Sequence, residues 1–465
     1  MKDFFSTSHL KIILGGGLLC VIALRLVLAA FLPLSPDEAY YWLWSKSPQL
    51  SYMDHPPMVA LWIKAGTLLF GDRPLAIRFL GPLASFLGTI FLSLTGKKLF
   101  PYSQKRALYG AILLNCTLMF GLGMVIMTPD TPLFFFSILT LWAFIQVLDE
   151  KRPLPSILWW LCVGLCLGLA FDSKYTACFL GLGMVVYAIM CRPKLFLKIG
   201  PWIGVLTCLV TISPVIIWNA NHHWISFFKQ GSRVGDWHPH RALTFISELV
   251  AGQIGLATPL IALICVGGFI KSRKEKPALF WLVSPGIIIL LFHAFGDRVQ
   301  ANWPAILYPA LMLSAGLILW LQRWVISIGV ICALTIVIQA LFAPLALSAH
   351  WDPIARQVRG WEALTEELVS QAHASHGQAL YVKDYALASI LAYHDKLNFP
   401  IISPDKRWHY LGARPKNSYQ NVLVVAEKRK ALTKVQGVVT RYFNKRELRS
   451  YSYESGTMRS GFLVK

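Results

Sequence analysis

Residues 35–57 read SPDEAYYWLWSKSPQLSYMDHPP. Three carboxylates, Asp37, Glu38 and Asp54, fall within eighteen positions, among Tyr40, Tyr41, Trp42, Trp44, Tyr52 and the imidazole of His55. The stretch follows directly on a long apolar run. Pro56-Pro57 stiffens its exit, because proline fixes φ and pushes the preceding residue toward extended geometry. Acids ringed by aromatics at the end of an apolar run read as a site for a polar, ring-shaped substrate at a membrane surface. The fold then turns on whether the rest of the chain spans that membrane.

It reads as spanning it. The chain of 465 residues is 55% hydrophobic, with mean hydropathy +0.54 and only 14% charged residues, against roughly 25% in soluble domains. Apolar runs long enough to cross a bilayer predict eleven spans: 11–33, 75–95, 107–127, 131–148, 156–172, 175–191, 200–218, 247–270, 278–295, 304–321 and 324–347. The first is longer than a signal-peptide core and lacks a small-residue cleavage site after it, so it reads as a span. The nine cysteines lie in apolar runs or at their ends, as small hydrophobes rather than a disulfide framework.

Charge sets the orientation. The net charge of +21 comes from Lys and Arg scattered between apolar runs, which argues for membrane topology and against a nucleic-acid partner. With a cytoplasmic N-terminus, the inside loops hold Lys2 and Lys11, then Lys97, Lys98, Lys105 and Arg106, then Lys151 and Arg152. Arg192, Lys194 and Lys198 follow, then Lys271, Arg273, Lys274 and Lys276, then Arg323. Each loop is short and basic, as the positive-inside rule asks. Asp37, Glu38, Asp54, Asp72, Asp130, Asp172, Asp236, Glu248 and Asp297 then gather at the outer side. Carboxylates at membrane depth cost several kcal/mol unless paired or solvated, so their grouping suggests a polar chamber opening outward.

The expected architecture is an all-α polytopic membrane domain over 1–347, with its outer loop at 34–74, and a small α/β extracytoplasmic domain over 348–465. In the latter, QALYVKD, PIIS and QNVLVVAEK read as short strands and DYALASILAYH as a helix.

Ser35-Pro36 before Asp37-Glu38 fits an N-cap with proline at the first helical position. The two acids could reach into a cleft or simply complement the helix dipole. Asp54-His55 adds an acid and a group that titrates near neutrality, or forms a proline-stiffened turn. Asp130, in the turn Thr128-Pro129-Asp130, would lie beside Asp37 if those helix ends meet; otherwise it is a turn former. Lys174 is either an interfacial anchor or a contact for an anionic group such as a lipid phosphate. Arg233, Arg241 and Arg298 could share phosphate binding through guanidinium forks. The chain carries no nucleotide-binding or hydrolase motif in a fitting context. A reaction on the outer face would need an activated donor already there, and a sugar on a polyprenyl phosphate meets that need.

DEAYYWLWSK, YMDHPP, the TPD turn at 128–130, SKYT at 173–176, SPVIIWNANHHWISF at 213–227 and GDRVQANWP at 296–304 together resemble the bacterial branch of glycosyltransferase family 39. The kinship extends to the polyprenyl-phosphate aminoarabinose transferases of lipid A and to the protein mannosyltransferases. The resemblance covers roughly 1–320 and implies the GT-C fold with catalysis on the outer face of the bacterial inner membrane.

It implies Asp37 as the main catalytic carboxylate, with Glu38 beside it, and displacement of lipid phosphate from the anomeric carbon. Asp54, His55, Asp130 and Lys174 become substrate-binding residues, His55 standing where the relatives have Lys. Lys174 and Arg298 would answer the growing phosphate charge, and Tyr41 and Trp44 would stack on sugar faces. No cofactor is obligatory; Asp37 and Asp130 are the candidates for an optional divalent cation. The implied partners are a polyprenyl-phosphate-linked sugar, membrane lipids, and lipid A, lipopolysaccharide or another envelope glycan as acceptor. Protein O-glycosylation is the alternative acceptor chemistry, and a polyprenyl-lipid flippase the rival from another class. Transporters place ionisable groups at the midplane, whereas these acids gather at one face.

Overall fold

The computed structural model describes residues 7–149, 152–231, 237–345, 347–348, 350–411, 419–427, 432, 435–443, 446–459 and 462–464. Lys2, Lys151, Arg233 and Asp236 lie outside the described residues. The chain opens with α1 (Thr7–Phe31), α2 (Pro36–Lys46), α3 (Met58–Phe70) and α4 (Pro74–Arg78). Then come α5 (Leu80–Leu99), α6 (Gln104–Cys116), α7 (Leu118–Gly121), α8 (Asp130–Asp149), α9 (Pro153–Phe171) and α10 (Cys178–Cys191). The series continues with α11 (Ile199–Asn221), α12 (Ile225–Gly231), α13 (Ala242–Ala257), α14 (Pro259–Glu275), α15 (Pro277–Ala294), α16 (Tyr308–Ala315) and α17 (Gln322–Phe342).

Among the described residues, six helices are long and apolar enough to cross a membrane, or up to eight if two bent pairs each count as one span. Three shorter apolar helices accompany them. The chain is a multi-pass membrane protein.

Two of the expected continuous spans are broken, each for a local reason. The run at 247–270 divides into α13 and α14, bent by 106°. Thr258 between them adopts φ +72°, and Pro259 starts α14. Proline disfavours helical geometry in the residue before it, so the helix stops at a strained threonine.

The run at 107–127 ends its first helix at Cys116. Thr117 then accepts the Phe120 N–H at 3.2 Å and donates its hydroxyl to Leu114 O at 2.7 Å, starting the short α7. The buried Arg25 guanidinium answers this break. It donates to Gly121 O and Asn115 Oδ1 at 3.0 Å and to Ser85 Oγ at 2.9 Å. A charge at this depth is tolerable when its donors are satisfied in this way.

The described chain forms two compact units. The first holds Met1–Ala29, Asp54–Trp62 and Arg78–Thr335. Helix packing there is close: a Cβ on Gly164 of α9 would stand 2.2 Å from Gly204 O of α11, so only glycine permits that approach.

The second unit holds Ala30–Met53, Ile63–Ile77 and Ile336–Lys465. After α17 it adds α18 (Pro353–Val358), α19 (Trp361–Ala374), β1 (Ala379–Val382), α20 (Tyr385–His394), β2 (Ile401–Ile402) and α21 (Lys406–His409). β3 (Tyr419–Ala426), β4 (Gly437–Phe443), β5 (Arg446–Arg459) and β6 (Phe462–Val464) complete it. The sheet order is β2-β1-β3-β5-β4, with β6 on β5. β1 runs parallel to β2 and β3, while β5 runs antiparallel to β3, β4 and β6. β1 is buried at all four residues, which fits its unbroken apolar sequence. Within this unit, Arg359 donates to the carbonyls of Ala340 and of Leu341 (2.8 Å).

Candidate active site

Three turns of the helical unit converge on Asp130. It is the first residue of α8, and the turn before it is closed by its neighbour. Thr131 accepts the Thr128 N–H at 3.2 Å and donates to Ile126 O at 2.9 Å. The Asp130 carboxylate is therefore not needed as a turn former. Lys174 Nζ donates to both its oxygens, at 2.8 and 2.9 Å, and Asn302 Nδ2 donates to Oδ2 at 2.7 Å. The Lys174 side chain is 6% exposed and that of Asp130 14%. A lysine so enclosed is a buried ion-pair partner and no interfacial anchor.

A second, partly buried ion pair lies in the same unit. Lys229 of α12 donates to Asp54 Oδ1, and Gln230 Nε2 donates to Asp54 O at 2.8 Å. Both charged side chains are largely enclosed. His55 and the buried Pro56-Pro57 continue the turn, which ends with the Met58 N–H donating to Asp172 O at 3.0 Å. Tyr175 Oη lies 2.6 Å from Ser226 Oγ of α12. The DHPP turn, the DSKYT turn and α12 are thus laced together.

α12 is set in place by a strained corner. His223 and Trp224 both adopt positive φ, 55° and 56°, and the Trp224 N–H donates back to Asn219 O at 2.8 Å. Two consecutive non-glycine residues in this region cost about 1–3 kcal/mol each, a cost met where the fold needs a sharp turn. Asp172 is also buried at 6% exposure, and its Oδ1 has no hydrogen-bond partner among the described residues. Burial pushes its carboxyl up to about 7.

Asp37 and Glu38 belong to the second unit and separate in role. Ser35 caps α2 and Glu38 closes a capping box: Glu38 Oε2 accepts the Ser35 N–H and hydroxyl at 3.1 Å each, while the Glu38 N–H donates to Ser35 Oγ at 3.3 Å. Glu38 is 0% exposed. Asp37, one position earlier, stays exposed at the helix start. One acid builds the helix terminus; the other is presented by it.

The aromatics form the body behind Asp37. Trp44 is fully buried, with Tyr52 stacked on it at 4.0 Å and 14° and Tyr41 meeting it edge-on at 5.0 Å. Tyr52 donates to Trp44 O at 3.0 Å, and burial raises its phenol to about 12. Trp44 therefore packs as a core ring, whereas the sequence suggested a platform for sugar.

Arg298, in the helical unit, is forked onto Glu248 at 2.6 and 2.9 Å with its side chain 66% exposed. Among the described residues, no group of three or more His, Cys, Asp or Glu is placed to hold a metal ion. Asp130's oxygens accept from an ammonium and an amide. Lys229 carried no motif signal in the sequence; it is a lone lysine in the aromatic stretch after Trp224.

Residues 54–218 match the family model described as dolichyl-phosphate-mannose-protein mannosyltransferase. A lipid A galacturonosyltransferase, RgtD of Rhizobium johnstonii, is 27% identical over 381 residues, covering 78% of each chain. ArnT from Cupriavidus metallidurans, solved with bound undecaprenyl phosphate, superposes with a TM-score of 0.67 at 16% identity, over 96% of this chain and 98% of its own. The archaeal oligosaccharyltransferase AglB from Archaeoglobus fulgidus superposes with a TM-score of 0.50 at 11% identity, over 88% and 69%. Fold, motifs and relatives agree: this chain has the GT-C fold seen in ArnT and is a membrane glycosyltransferase similar to the lipid A transferases.

Proposed function

We propose that this enzyme moves a sugar from a polyprenyl-phosphate donor to lipid A, on the periplasmic face of the bacterial inner membrane, with Asp37 as its catalytic carboxylate. The observation that carries the reading is the division of labour in α2. Glu38 is spent on the capping box, and Asp37 is left exposed on a helix held by a packed aromatic body. The lipid A acceptor is supported by the relative that bears that name, and the polyprenyl phosphate by the lipid bound in the ArnT structure.

The step is a single displacement. Asp37 takes the proton of the acceptor hydroxyl as its oxygen bonds to the anomeric carbon. The bond from that carbon to the lipid phosphate oxygen breaks, and the phosphate keeps the electron pair. One displacement inverts the anomeric centre. Lys174 and Lys229, ion-paired with Asp130 and Asp54 in largely enclosed positions, supply positive charge for the departing phosphate, where fixed charges act most strongly. Tyr41 borders the sugar, with Trp44 and Tyr52 fixing it from behind. The N-terminus is cytoplasmic in this reading, and the 348–465 domain is periplasmic. Mass spectrometry of lipid A from a deletion strain tests it: loss of one sugar-sized increment is expected, and an unchanged lipid A profile contradicts it.

A further inference from the structure

The sheet domain grips the helix that carries Asp37. α20 is fixed on its own side by buried Leu387, Ile390 and Leu391. Tyr385, Ser389, Ala392 and Tyr393 recur at helical spacing and form a second face, where two large rings flank small residues. Tyr385 meets Tyr40 edge-on at 4.9 Å and 68°, and Tyr393 meets Trp42 at 5.2 Å and 88°. Such edge-to-face contacts fix orientation as well as distance. The Arg407 guanidinium lies 4.1 Å from the Tyr385 ring centroid, and Gln49 Nε2, just beyond α2, donates to Tyr410 O at 2.8 Å.

α2 is also held from another side. Trp42 Nε1 donates to Asp72 Oδ1 at 2.7 Å, and Lys46 pairs with Asp72 Oδ2 at 2.5 Å, in the turn between α3 and α4. At 100° per residue, Tyr40 and Leu43 share one face, which meets α20 through Tyr40, while Trp42 and Lys46 share another, which meets Asp72 and, through the Trp42 ring, Tyr393. Asp37 and Tyr41 fall on the remaining face. The contacts thus fix the rotation of α2 about its own axis.

We infer that the C-terminal domain is part of the catalytic apparatus, and that Tyr385 and Tyr393 are positioning residues which aim Asp37 through Tyr40 and Trp42. This rests on the reading of Asp37 as the catalytic carboxylate. A helical carboxylate stands roughly 5 Å from the helix axis, so a rotation of about 12° carries it ~1 Å. A displacement of that size can cost on the order of 10²-fold in rate.

The test uses the full-length chain in a deletion strain. Asp37→Asn, Tyr385→Ala/Tyr393→Ala and Tyr385→Phe/Tyr393→Phe are compared for protein level, for the rate at which membranes modify lipid A, and for affinity for undecaprenyl phosphate. The double alanine variant is expected to lose about 10²-fold in rate at wild-type protein level and undecaprenyl phosphate affinity. The double phenylalanine variant, which keeps both rings, should recover to within a few-fold of wild type. Wild-type rate in the alanine variant beside an inactive Asp37→Asn overturns the inference. So does a loss of rate, protein and lipid affinity together that phenylalanine does not rescue. A fully active Asp37→Asn instead sinks the underlying reading, whatever the tyrosines do.

Discussion

Lys174 holds both oxygens of Asp130, at 2.8 and 2.9 Å, across 44 residues of sequence and in a largely enclosed site. Breaking such a pair strands a buried charge, at a cost of about 3–5 kcal/mol. Lys174→Met should therefore lower the melting temperature of the detergent-solubilised protein sharply and remove transfer. Lys174→Met/Asp130→Leu should melt nearer to wild type than either single variant while staying inactive. Additive losses in the double variant would show that the pair is not coupled.

Lys229 should weigh in lipid binding. If it faces the departing phosphate, Lys229→Met weakens undecaprenyl phosphate binding by roughly 10-fold or more, since a hydrogen bond to a charged group is worth about 1.5–3 kcal/mol. Lys229→Arg should bind close to wild type. Unchanged affinity in the methionine variant would reduce Lys229 to a structural partner of Asp54.

Asp172 gives a pH signature. Burial disfavours the charged form and pushes its folded carboxyl from the ordinary 3.8 up to about 7. The folded state therefore binds more protons than the unfolded state between those values, and stability falls as pH rises through that window. Asp172→Asn should be more stable than wild type at pH 8, by on the order of 2 kcal/mol after allowing for solvent relaxation, with the gap closing toward pH 4. Thermal melts across that range check it; a pH-independent difference would contradict the assignment.

The Arg298–Glu248 pair marks the other extreme. Its arginine side chain is 66% exposed, and exposed pairs contribute about 0–1 kcal/mol. Glu248→Gln should shift the melting temperature by no more than a degree or two.

Much of this was legible in the sequence. Ser35, Pro36 and Glu38 spell a helix start, and the structure builds it as written, because capping depends on residues three apart. The DYALASILAYH helix and the three strands around it follow from local periodicity in the same way. Two kinds of feature were not legible: local breaks inside apolar runs, and pairs set by distant partners. Thr258 and Thr117 break apolar runs whose composition alone promises continuous spans. Lys229 lies 175 residues from Asp54, so no spacing rule links them, and Trp44 is enclosed by Tyr52 beyond the helix as well as by Tyr40 and Tyr41 within it. The two acids of the DE pair are alike in chemistry; the family resemblance singles out Asp37, and the capping box separates their surroundings.

The most direct measurement is lipid A mass spectrometry on a deletion strain complemented with Asp37→Asn, beside wild type and Glu38→Gln, at matched protein levels. The account predicts no modified lipid A from Asp37→Asn and measurable, reduced modification from Glu38→Gln, whose defect is a weakened helix cap. Wild-type modification by Asp37→Asn would contradict it.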